Sequence, residues 1–235
     1  MDKKLAIGVL AFDVEEYIED FVLSLLKLNK KIIVVDDCSS DKTPEILKKI
    51  ADNNSQIEII TNPNNKGAGY STRLLIEHSK SNEFDFLIKV DGDGQFIVSD
   101  VEKIINLYEQ NGYEFIKGNR FWKGGIRGTI PKKRFIGNLL ATIFMQLTTG
   151  TNKLFDPLNG LFGVSTKIID ELKEKNYPKR YGYPFFVTVS AVINEYKTFQ
   201  INNVVIYDNQ KSSISSYKML FTIIRLSVSF FFKKI

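Results

Sequence analysis

The chain has 235 residues, of which 43% are hydrophobic, and this is enough to bury one full core. A single cysteine, Cys38, excludes an internal disulfide framework, and no Cys/His cluster of the zinc-binding kind occurs, so we expect a reducing, cytoplasmic setting. The N-terminal segment contains no signal-peptide apolar region, and nothing in the sequence predicts export.

The net charge of +5 is unevenly distributed along the chain. Residues 1–116 carry 13 basic and 21 acidic side chains, whereas residues 117–235 carry 19 basic and 6 acidic ones. An acidic half suits a divalent cation, and a basic half suits phosphate groups or an anionic membrane surface. Two solvated faces of different charge are the alternative. We therefore expect the two halves to face different partners.

The first half alternates between strand and helix patterns. Apolar runs rich in β-branched residues predict strands at 5–10, 32–35, 57–60 and 84–90. Residues 15–27 have apolar side chains at helical spacing, and Thr43-Pro44-Glu45 offers a capping hydroxyl and a proline for the start of a second helix. Such alternation predicts a mostly parallel, open sheet, in which ligands bind beyond the carboxyl ends of the strands.

Polar residues follow three of the predicted strands. They are Asp36-Asp37, Asn64-Asn65-Lys66-Gly67 and Asp91-Gly92-Asp93. Two carboxylates separated by a glycine can bind a hard cation such as Mg²⁺ or Mn²⁺, whose other positions are filled by water and phosphate oxygens. The cation would neutralise a diphosphate leaving group. This DxD pattern also occurs on solvated loops, but its position after a buried strand favours the metal site.

The other two clusters predict contacts to a nucleotide. Adjacent carboxylates repel each other, and Asp36-Asp37 could accept hydrogen bonds from ribose hydroxyls or a base edge. The alternative is that one of the pair, or Asp41, caps the helix that begins near Pro44. Small residues in Lys66-Gly67-Ala68-Gly69 would let backbone N–H groups approach a phosphate or base. The first predicted strand is not followed by a glycine-rich turn, which argues against a dinucleotide-binding Rossmann domain and a P-loop.

Several segments, in order, resemble the signatures of family-2 inverting glycosyltransferases with the GT-A fold. They are residues 9–18, residues 34–43, Asn65-Lys66-Gly67-Ala68-Gly69 and Val90-Asp91-Gly92-Asp93-Gly94-Gln95. Three further segments resemble the dolichol-phosphate mannose synthase branch, whose acceptor is a polyprenyl phosphate. These are Gly118-Asn119-Arg120-Phe121, Arg134 with Asn138, and Asp156-Pro157-Leu158-Asn159-Gly160. The resemblance implies an α/β fold with an open, mostly parallel sheet flanked by helices and a C-terminal amphipathic helix.

The resemblance also implies roles for individual residues. Catalytic roles fall to Asp91, Asp93 and Asp156, and Asp91 and Asp93 form the metal site, with Gln95 in the donor diphosphate region. The implied nucleotide-binding residues are Ala11, Phe12, Asp13, Glu15, Asp36, Asp37, Lys66, Gly67, Asp91 and Gly92. The implied acceptor-binding residues are Arg120, Arg134, Asn138 and Lys211. Guanidinium groups suit an acceptor phosphate because they bind its oxygens in a bidentate fork.

The implied activity is transfer of a sugar, with Mg²⁺ or Mn²⁺, from a UDP- or GDP-sugar to a polyprenyl phosphate or another glycan acceptor, with no nucleic-acid partner. Residues 1–215 would form one catalytic domain, with a nucleotide- and metal-binding half, 1–116, and an acceptor-binding half, 117–215. Phe185-Phe186 occupies a region where many relatives carry a glutamate. A phosphate monoester is already anionic and needs no base, which favours a lipid phosphate acceptor. Asp156 remains the candidate base if the acceptor is a sugar hydroxyl.

Two apolar segments predict contact with a membrane surface. Residues 219–232, within the C-terminal segment 216–235, are too few to span a bilayer, and residues 135–147 follow three basic residues. We expect a peripheral position at the inner face of the membrane, with packing as ordinary core helices as the alternative. A sugar-phosphate nucleotidyltransferase and a catalytically silent binding or scaffold subunit are the alternative functions; the first normally opens with a glycine-rich loop that this chain lacks.

Overall fold

The computed structural model describes residues 4–172, 177–207 and 216–233. The strands in these ranges are β1 (Leu5–Ala11), β2 (Lys31–Asp36), β3 (Ile57–Thr61), β4 (Phe86–Asp91), β5 (Phe115–Asn119), β6 (Ile126–Gly128), β7 (Phe162–Ser165), β8 (Thr198–Asn202) and β9 (Val205–Tyr207). The helices are α1 (Ile18–Leu26), α2 (Thr43–Asp52), α3 (Ala68–Ser81), α4 (Val98–Asn111), α5 (Lys132–Thr149), α6 (Ile168–Glu171), α7 (Tyr183–Ile193) and α8 (Ser216–Lys233).

The main sheet has seven strands in the order β3-β2-β1-β4-β7-β5-β8, and β6 pairs with β9 in a separate small sheet. All neighbours in the main sheet are parallel except β7, which runs antiparallel to both β4 and β5. The register pairs Ala11 with Asp36 and Leu10 with Asp91, so the carboxyl ends of β1, β2 and β4 meet at one edge. The predicted α/β fold with a mostly parallel sheet is confirmed.

Alternation along the strands divides the core into two layers. Ile7 and Val9 of β1 face the layer that contains α1, α2 and α4, whereas Ala6 and Leu10 face the layer with α3, α5, α7 and α8. Successive side chains of a strand point to opposite faces, so an almost continuous apolar strand needs helices on both sides of the sheet. This explains why β1 is apolar along its whole length and buried throughout.

The start of α1 differs from the prediction. The helix begins at Ile18 instead of residue 15, because the N–H groups of Tyr17 and Ile18 both donate to the carbonyl of Val14 in a tight turn. At α2, the hydroxyl of Thr43 accepts from the N–H of Val14 and does not cap its own helix. The Asp41 carboxylate accepts from the N–H of Thr43 instead, at 2.9 Å. Asp41 therefore satisfies the N–H of the first helical residue, although the N-cap position itself is Lys42, which makes no side-chain cap bond.

The two segments that predict membrane contact form α5 and α8, which pack against each other. Each helix turns some apolar side chains into the core, including Met145 and Ile223. On one side, each therefore packs as an ordinary core helix, which was the alternative to membrane contact. The opposite side is exposed. Its large apolar side chains are Phe135, Ile136, Leu139, Ile143, Leu147, Tyr217, Phe221, Ile224, Val228, Phe231 and Phe232. No helix in the described ranges combines the length and apolar character needed to cross a membrane.

Candidate functional site

A cavity of about 360 Å³ lies at the carboxyl ends of β1, β2 and β4. The expected site residues that line it are Ala11, Phe12, Asp37, Gly67, Asp91, Asp93, Gln95, Arg120 and Arg134. The sheet register explains most of this convergence, since parallel strands deliver their carboxyl ends to the same edge. The cavity therefore brings together the acidic residues of the first half of the chain and two arginines of the second.

Asp91 is paired with a buried lysine. The ammonium of Lys89, two residues earlier on the same face of β4, contacts Asp91 Oδ1 at 2.5 Å, and Lys89 is only 3% exposed. Asp93 lies beyond the strand, where Asp93 Oδ1 accepts from the N–H of Gln95. Burial and the nearby charge of Asp91 raise the pKa of Asp93 to about 6. Positive charge from Lys89 and Arg134 acts in the opposite direction on this pKa.

These groups fit a divalent cation that also binds a phosphate ligand. Two repelling carboxylates at one wall of a cavity are stabilised by a cation between them, and carboxylate oxygens suit Mg²⁺ and Mn²⁺. In the part of the chain that the structure describes, no cluster of three or more His, Cys, Asp or Glu side chains surrounds such an ion. Asp91 and Asp93 would therefore supply only part of a coordination shell, and a bound phosphate or water would have to supply the other oxygens.

Asp36 and Asp37 have different surroundings. Asp37 accepts hydrogen bonds from Asn62 and from the backbone N–H groups of Lys66 and Gly67, at 2.7–2.9 Å. Asp36 Oδ1 accepts from Ser39, while Asp36 Oδ2 is buried and has no hydrogen-bond partner among the described residues. Asp37 lines the cavity wall, and Asp36 is covered behind it.

The expected role of the Lys66-Gly67 backbone needs correction. Both N–H groups donate to Asp37, so they are not available to a phosphate or base. The small residues serve another purpose. A Cβ at Gly67 would lie 2.6 Å from Arg180 Cγ, and a Cβ at Gly69 would lie 2.0 Å from the carbonyl of Pro178. Glycine is needed here because the segment 178–180 crosses the start of α3.

Asp13 and Glu15 contact a neighbouring loop. Asp13 Oδ1 accepts from the N–H of Ser40 at 2.7 Å, and Glu15 Oε2 accepts from the N–H of Lys42 at 2.9 Å. Asp13 adopts a positive φ of 50°, a conformation in which asparagine and aspartate are enriched. The two carboxylates thus hold the loop after β2 against the turn after β1. Ala11, the last residue of β1, and Phe12, from the same turn, do line the cavity.

Arg120 and Asp156 form an internal ion pair. Arg120 Nε donates to Asp156 Oδ2 at 2.8 Å and Arg120 Nη2 donates to Asp156 Oδ1 at 2.9 Å, while the Asp156 residue is 0% exposed. Nη1 donates to the hydroxyl of Tyr207, and Nη2 also donates to Asn138. The bidentate fork that the sequence assigns to an acceptor phosphate is therefore directed at Asp156. A carboxylate so enclosed is also poorly placed to take a proton from an acceptor.

A second cavity, of about 250 Å³, lies between α5 and α8. It has mostly apolar walls, formed in part by Leu158, Met219 and Ile223, and Arg134 and Asn138 also line it. Arg120, Arg134, Leu158 and Met219 line both cavities. Lys211, the remaining residue expected at the acceptor site, lies outside the described residues.

Residues 6–173 match the family model described as Glycosyl transferase family 2. The chain belongs to this family. It is a glycosyltransferase, as the order of its motifs predicts.

Two relatives and one solved structure illustrate the similarity. An uncharacterised protein of Methanocaldococcus jannaschii is 28% identical over 94% of this chain and 91% of its own length. The UDP-N-acetylglucosamine–dolichyl-phosphate N-acetylglucosaminyltransferase of Methanococcus voltae is 27% identical over 77% and 76%, respectively. Glucosyl-3-phosphoglycerate synthase from Mycobacterium tuberculosis, solved with Mn²⁺, UDP and its product, superposes with a TM-score of 0.69 at 15% identity, over 99% of this chain and 80% of the other. The last match shows the fold, which is GT-A.

Sequence reasoning missed several residues of this glycosyltransferase that lie at the site. Lys89 and Arg180 line the larger cavity, and Lys117 is fully buried on β5, where its ammonium donates to the carbonyl of Asn159. The two lysines left a signal. Each is a single charge inside an apolar strand, where an unpaired ammonium would be costly, so a buried partner was to be expected.

Proposed function

We propose that this glycosyltransferase moves a sugar from a UDP- or GDP-sugar to the phosphate of a polyprenyl lipid by single displacement with inversion. The larger cavity would hold the donor, and the smaller apolar cavity would hold the part of the lipid next to its phosphate. The observation that carries the proposal is the junction of the two cavities, which share Arg134 beside Asp93. An acceptor phosphate at Arg134 would lie between the donor and an apolar channel.

On the donor side, Asp91 and Asp93 would bind Mg²⁺ or Mn²⁺ together with the donor diphosphate. When bound, the cation supplies positive charge that stabilises the departing nucleoside diphosphate. Lys89 holds Asp91 in a fixed orientation, because its buried ammonium contacts one of the two carboxylate oxygens. The presence of Mn²⁺ and UDP in the structural neighbour supports this assignment.

On the acceptor side, a phosphate monoester fits the surroundings better than a sugar hydroxyl does. A hydroxyl acceptor normally needs a base to remove its proton, whereas a phosphate oxygen is already anionic near neutral pH. Asp156, the candidate base, is bound by Arg120 and is buried. We propose that Asp156 and Arg120 are structural, and that Arg134 carries the phosphate contact. The relative from Methanococcus voltae is named as a transferase that acts on dolichyl phosphate, which agrees with a lipid phosphate as the acceptor.

Peripheral membrane contact follows from the same proposal. A polyprenyl lipid resides in the bilayer, so the open end of the smaller cavity must reach the membrane surface. This cavity lies between α5 and α8, the helices with exposed apolar sides. Lys132, Lys133, Lys218 and Arg225 on these helices would add attraction to anionic headgroups.

The test measures nucleotide release by the full chain with a panel of UDP- and GDP-sugars and Mn²⁺ or Mg²⁺. Three additions are compared: a short polyprenyl phosphate, the matching polyprenol without phosphate, and no acceptor. We expect only the phosphate to accelerate release and to become glycosylated. Arg134→Gln should raise the KM for the polyprenyl phosphate about tenfold or more, because a charged phosphate contact is lost. Equal stimulation by the polyprenol would assign the acceptor to hydroxyl compounds, and failure of every nucleotide sugar to bind with metal would refute the transferase mechanism.

A further inference from the structure

Tyr207 lines neither cavity, but its side chain contacts Arg120 and Arg134, which line both of them. It is the last residue of β9, and its partner in β6 is Gly128. A Cβ at Gly128 would lie 2.0 Å from the carbonyl oxygen of Tyr207, and Gly128 has a φ of +92°. Both observations show that the two strands approach closely at this position, which fixes the backbone of Tyr207 against β6.

β9, the strand that carries Tyr207, is also hydrogen-bonded to the residues that follow Asp91 and Asp93. The N–H of Ile206 donates to the carbonyl of Gln95 at 2.9 Å, and Val205 forms a bridge with Phe96. Gln95 itself donates its N–H to Asp93. Gln95 therefore links the Asp93 carboxylate to β9, through one hydrogen bond from its N–H and one to its carbonyl.

The Tyr207 side chain contacts both arginines of the expected acceptor site. Its hydroxyl accepts from Arg120 Nη1 at 2.8 Å, and the guanidinium carbon of Arg134 lies 5.3 Å from the centroid of its ring. A guanidinium over an aromatic face is attracted by the negative charge of that face. Asp156 holds the fork of Arg120, whereas Arg134 lies against the Tyr207 ring and within electrostatic reach of Asp93. The ring can therefore orient Arg134 at the junction of the two cavities.

We propose that Tyr207 is a positioning residue for the acceptor phosphate, and that it acts through its ring, which holds Arg134 at the junction of the two cavities. The inference rests on the proposed function and adds to it the residue that orients the phosphate-binding arginine. The hydroxyl has a secondary role, since Arg120 retains its two bonds to Asp156 without it. The donor binds on the other side of Arg134 and does not depend on the ring.

The test compares Tyr207→Leu with Tyr207→Phe in the full chain. Steady-state rates are measured against a short polyprenyl phosphate and against the donor sugar, and thermal unfolding is recorded for each variant. We expect Tyr207→Leu to raise the acceptor KM about tenfold, which lies between the losses typical of an exposed and of a desolvated cation–π contact. The donor KM and kcat should change less than about twofold. Tyr207→Phe keeps the ring and should remain within about threefold of the wild-type acceptor KM.

Tyr113→Leu is the matched control, because Tyr113 also carries a cation over its ring. Lys197 Nζ lies 5.0 Å from the Tyr113 centroid, and Lys197 lines neither cavity, whereas Arg134 lines both. This variant should leave both KM values unchanged.

Three outcomes would overturn the inference: an unchanged acceptor KM in Tyr207→Leu, an equal loss in Tyr207→Phe, or a parallel loss of donor binding. The wild-type arm separates this inference from the proposed function. If the wild-type chain binds a nucleotide sugar with metal but ignores polyprenyl phosphate, the proposed acceptor is wrong and the inference falls with it. If the wild type glycosylates polyprenyl phosphate and Tyr207→Leu does so with the same acceptor KM, only the role of Tyr207 is wrong.

Discussion

Arg120 and Asp156 are joined by two parallel hydrogen bonds inside the protein, although 36 residues separate them in sequence. The same carboxylate also accepts from the backbone N–H of Arg120 and from the side chain of Asn159. Asp156 adopts a positive φ of 54°, a conformation that aspartate tolerates better than most residues, and these hydrogen bonds hold it there. The pair thus fixes the loop 156–160 beside the larger cavity.

Asp156→Asn should therefore destabilise the protein strongly. Removing the charge of Asp156 leaves the guanidinium of Arg120 buried without its counter-ion, a change that costs about 3–5 kcal/mol in the free energy of unfolding. Urea unfolding measures this loss. Asp170→Asn is the control, because Asp170 pairs with Lys80 at the surface, where the expected loss is below about 1 kcal/mol. A stable Asp156→Asn variant with greatly reduced kcat would instead support the role of Asp156 as a base.

In residues 1–116, the sequence predicted the positions of the strands better than the contacts of the carboxylates that follow them. The four strands β1 to β4 lie within two residues of the predicted positions, because apolar runs and turn residues are local signals. Asp91-Gly92-Asp93 and Asp36-Asp37 come to the same edge as expected. The partner of each carboxylate was not predictable, since the Asp37 bonds to Lys66 and Gly67 cross 29 and 30 residues of chain and depend on how β2 and α3 pack.

In residues 117–215, the sequence identified the polar residues that come together but not their partners. Its motifs identify Arg120, Arg134 and Asn138, and the structure brings all three together around Tyr207 and Asp156. Residue type alone could not tell which arginine faces a ligand and which is bound internally. That distinction depends on the long-range pairing of Arg120 with Asp156, and it reverses the expectation that both guanidinium forks are free.

Gly160→Ala should weaken metal-dependent donor binding, and it should also destabilise the fold, because the buried ammonium of Lys89 would lose its contact with the Asp91 carboxylate. A Cβ at Gly160 would lie 2.1 Å from Asp91 Oδ2, so the Asp91 carboxylate would have to rotate away from its place beside Lys89. Displacing a group that orients a metal ligand typically costs about 10–100-fold in metal affinity. Isothermal titration calorimetry with UDP in the presence of Mn²⁺ measures the change in affinity.

Gly137→Ala is the matched control for this substitution. A Cβ at Gly137 meets nothing within 4 Å, and Gly137 lies in the middle of α5. We expect unchanged donor binding and a gain in stability of about 0.5–1 kcal/mol, because alanine is favoured over glycine in a helix. Equal donor affinity in Gly160→Ala and the wild type would contradict the position proposed for the metal beside Asp91.

Leu139→Asp and Phe221→Asp should each reduce binding to membranes. Both side chains are exposed, at 53% and 65%, on the outer sides of α5 and α8. Burying one large apolar side chain contributes about 1.5–3 kcal/mol, so each change should lower vesicle affinity about tenfold or more. Co-sedimentation with vesicles of phosphatidylglycerol and phosphatidylcholine measures the affinity, and donor binding should stay unchanged. Leu23→Asp, on α1 in the opposite layer, is the control. Equal losses in all three variants would argue against a specific membrane-facing surface.

Because of Lys117, the free energy of unfolding should rise as the pH increases above about 7. Burial lowers the pKa of Lys117 from its ordinary value of 10.5 to about 7. Between these two values the unfolded chain binds a proton at this position that the folded chain has released, so raising the pH favours folding. Below about pH 7 both states are protonated, and the cost of burying the charged ammonium is fully present.

The measurement compares wild type with Lys117→Met by urea unfolding at several pH values. Subtracting the two curves removes the titration of groups that do not interact with Lys117. The lost bond from Lys117 to the carbonyl of Asn159 adds only a pH-independent offset to the difference. We expect the difference to move in favour of the wild type as the pH rises from 7 to 9.5, with a slope of up to about 1.4 kcal/mol per pH unit. A flat difference over this range would mean that Lys117 stays protonated in the folded protein. The neighbouring charges of Asp156 and Asp91, which act to raise its pKa, would then outweigh the effect of burial.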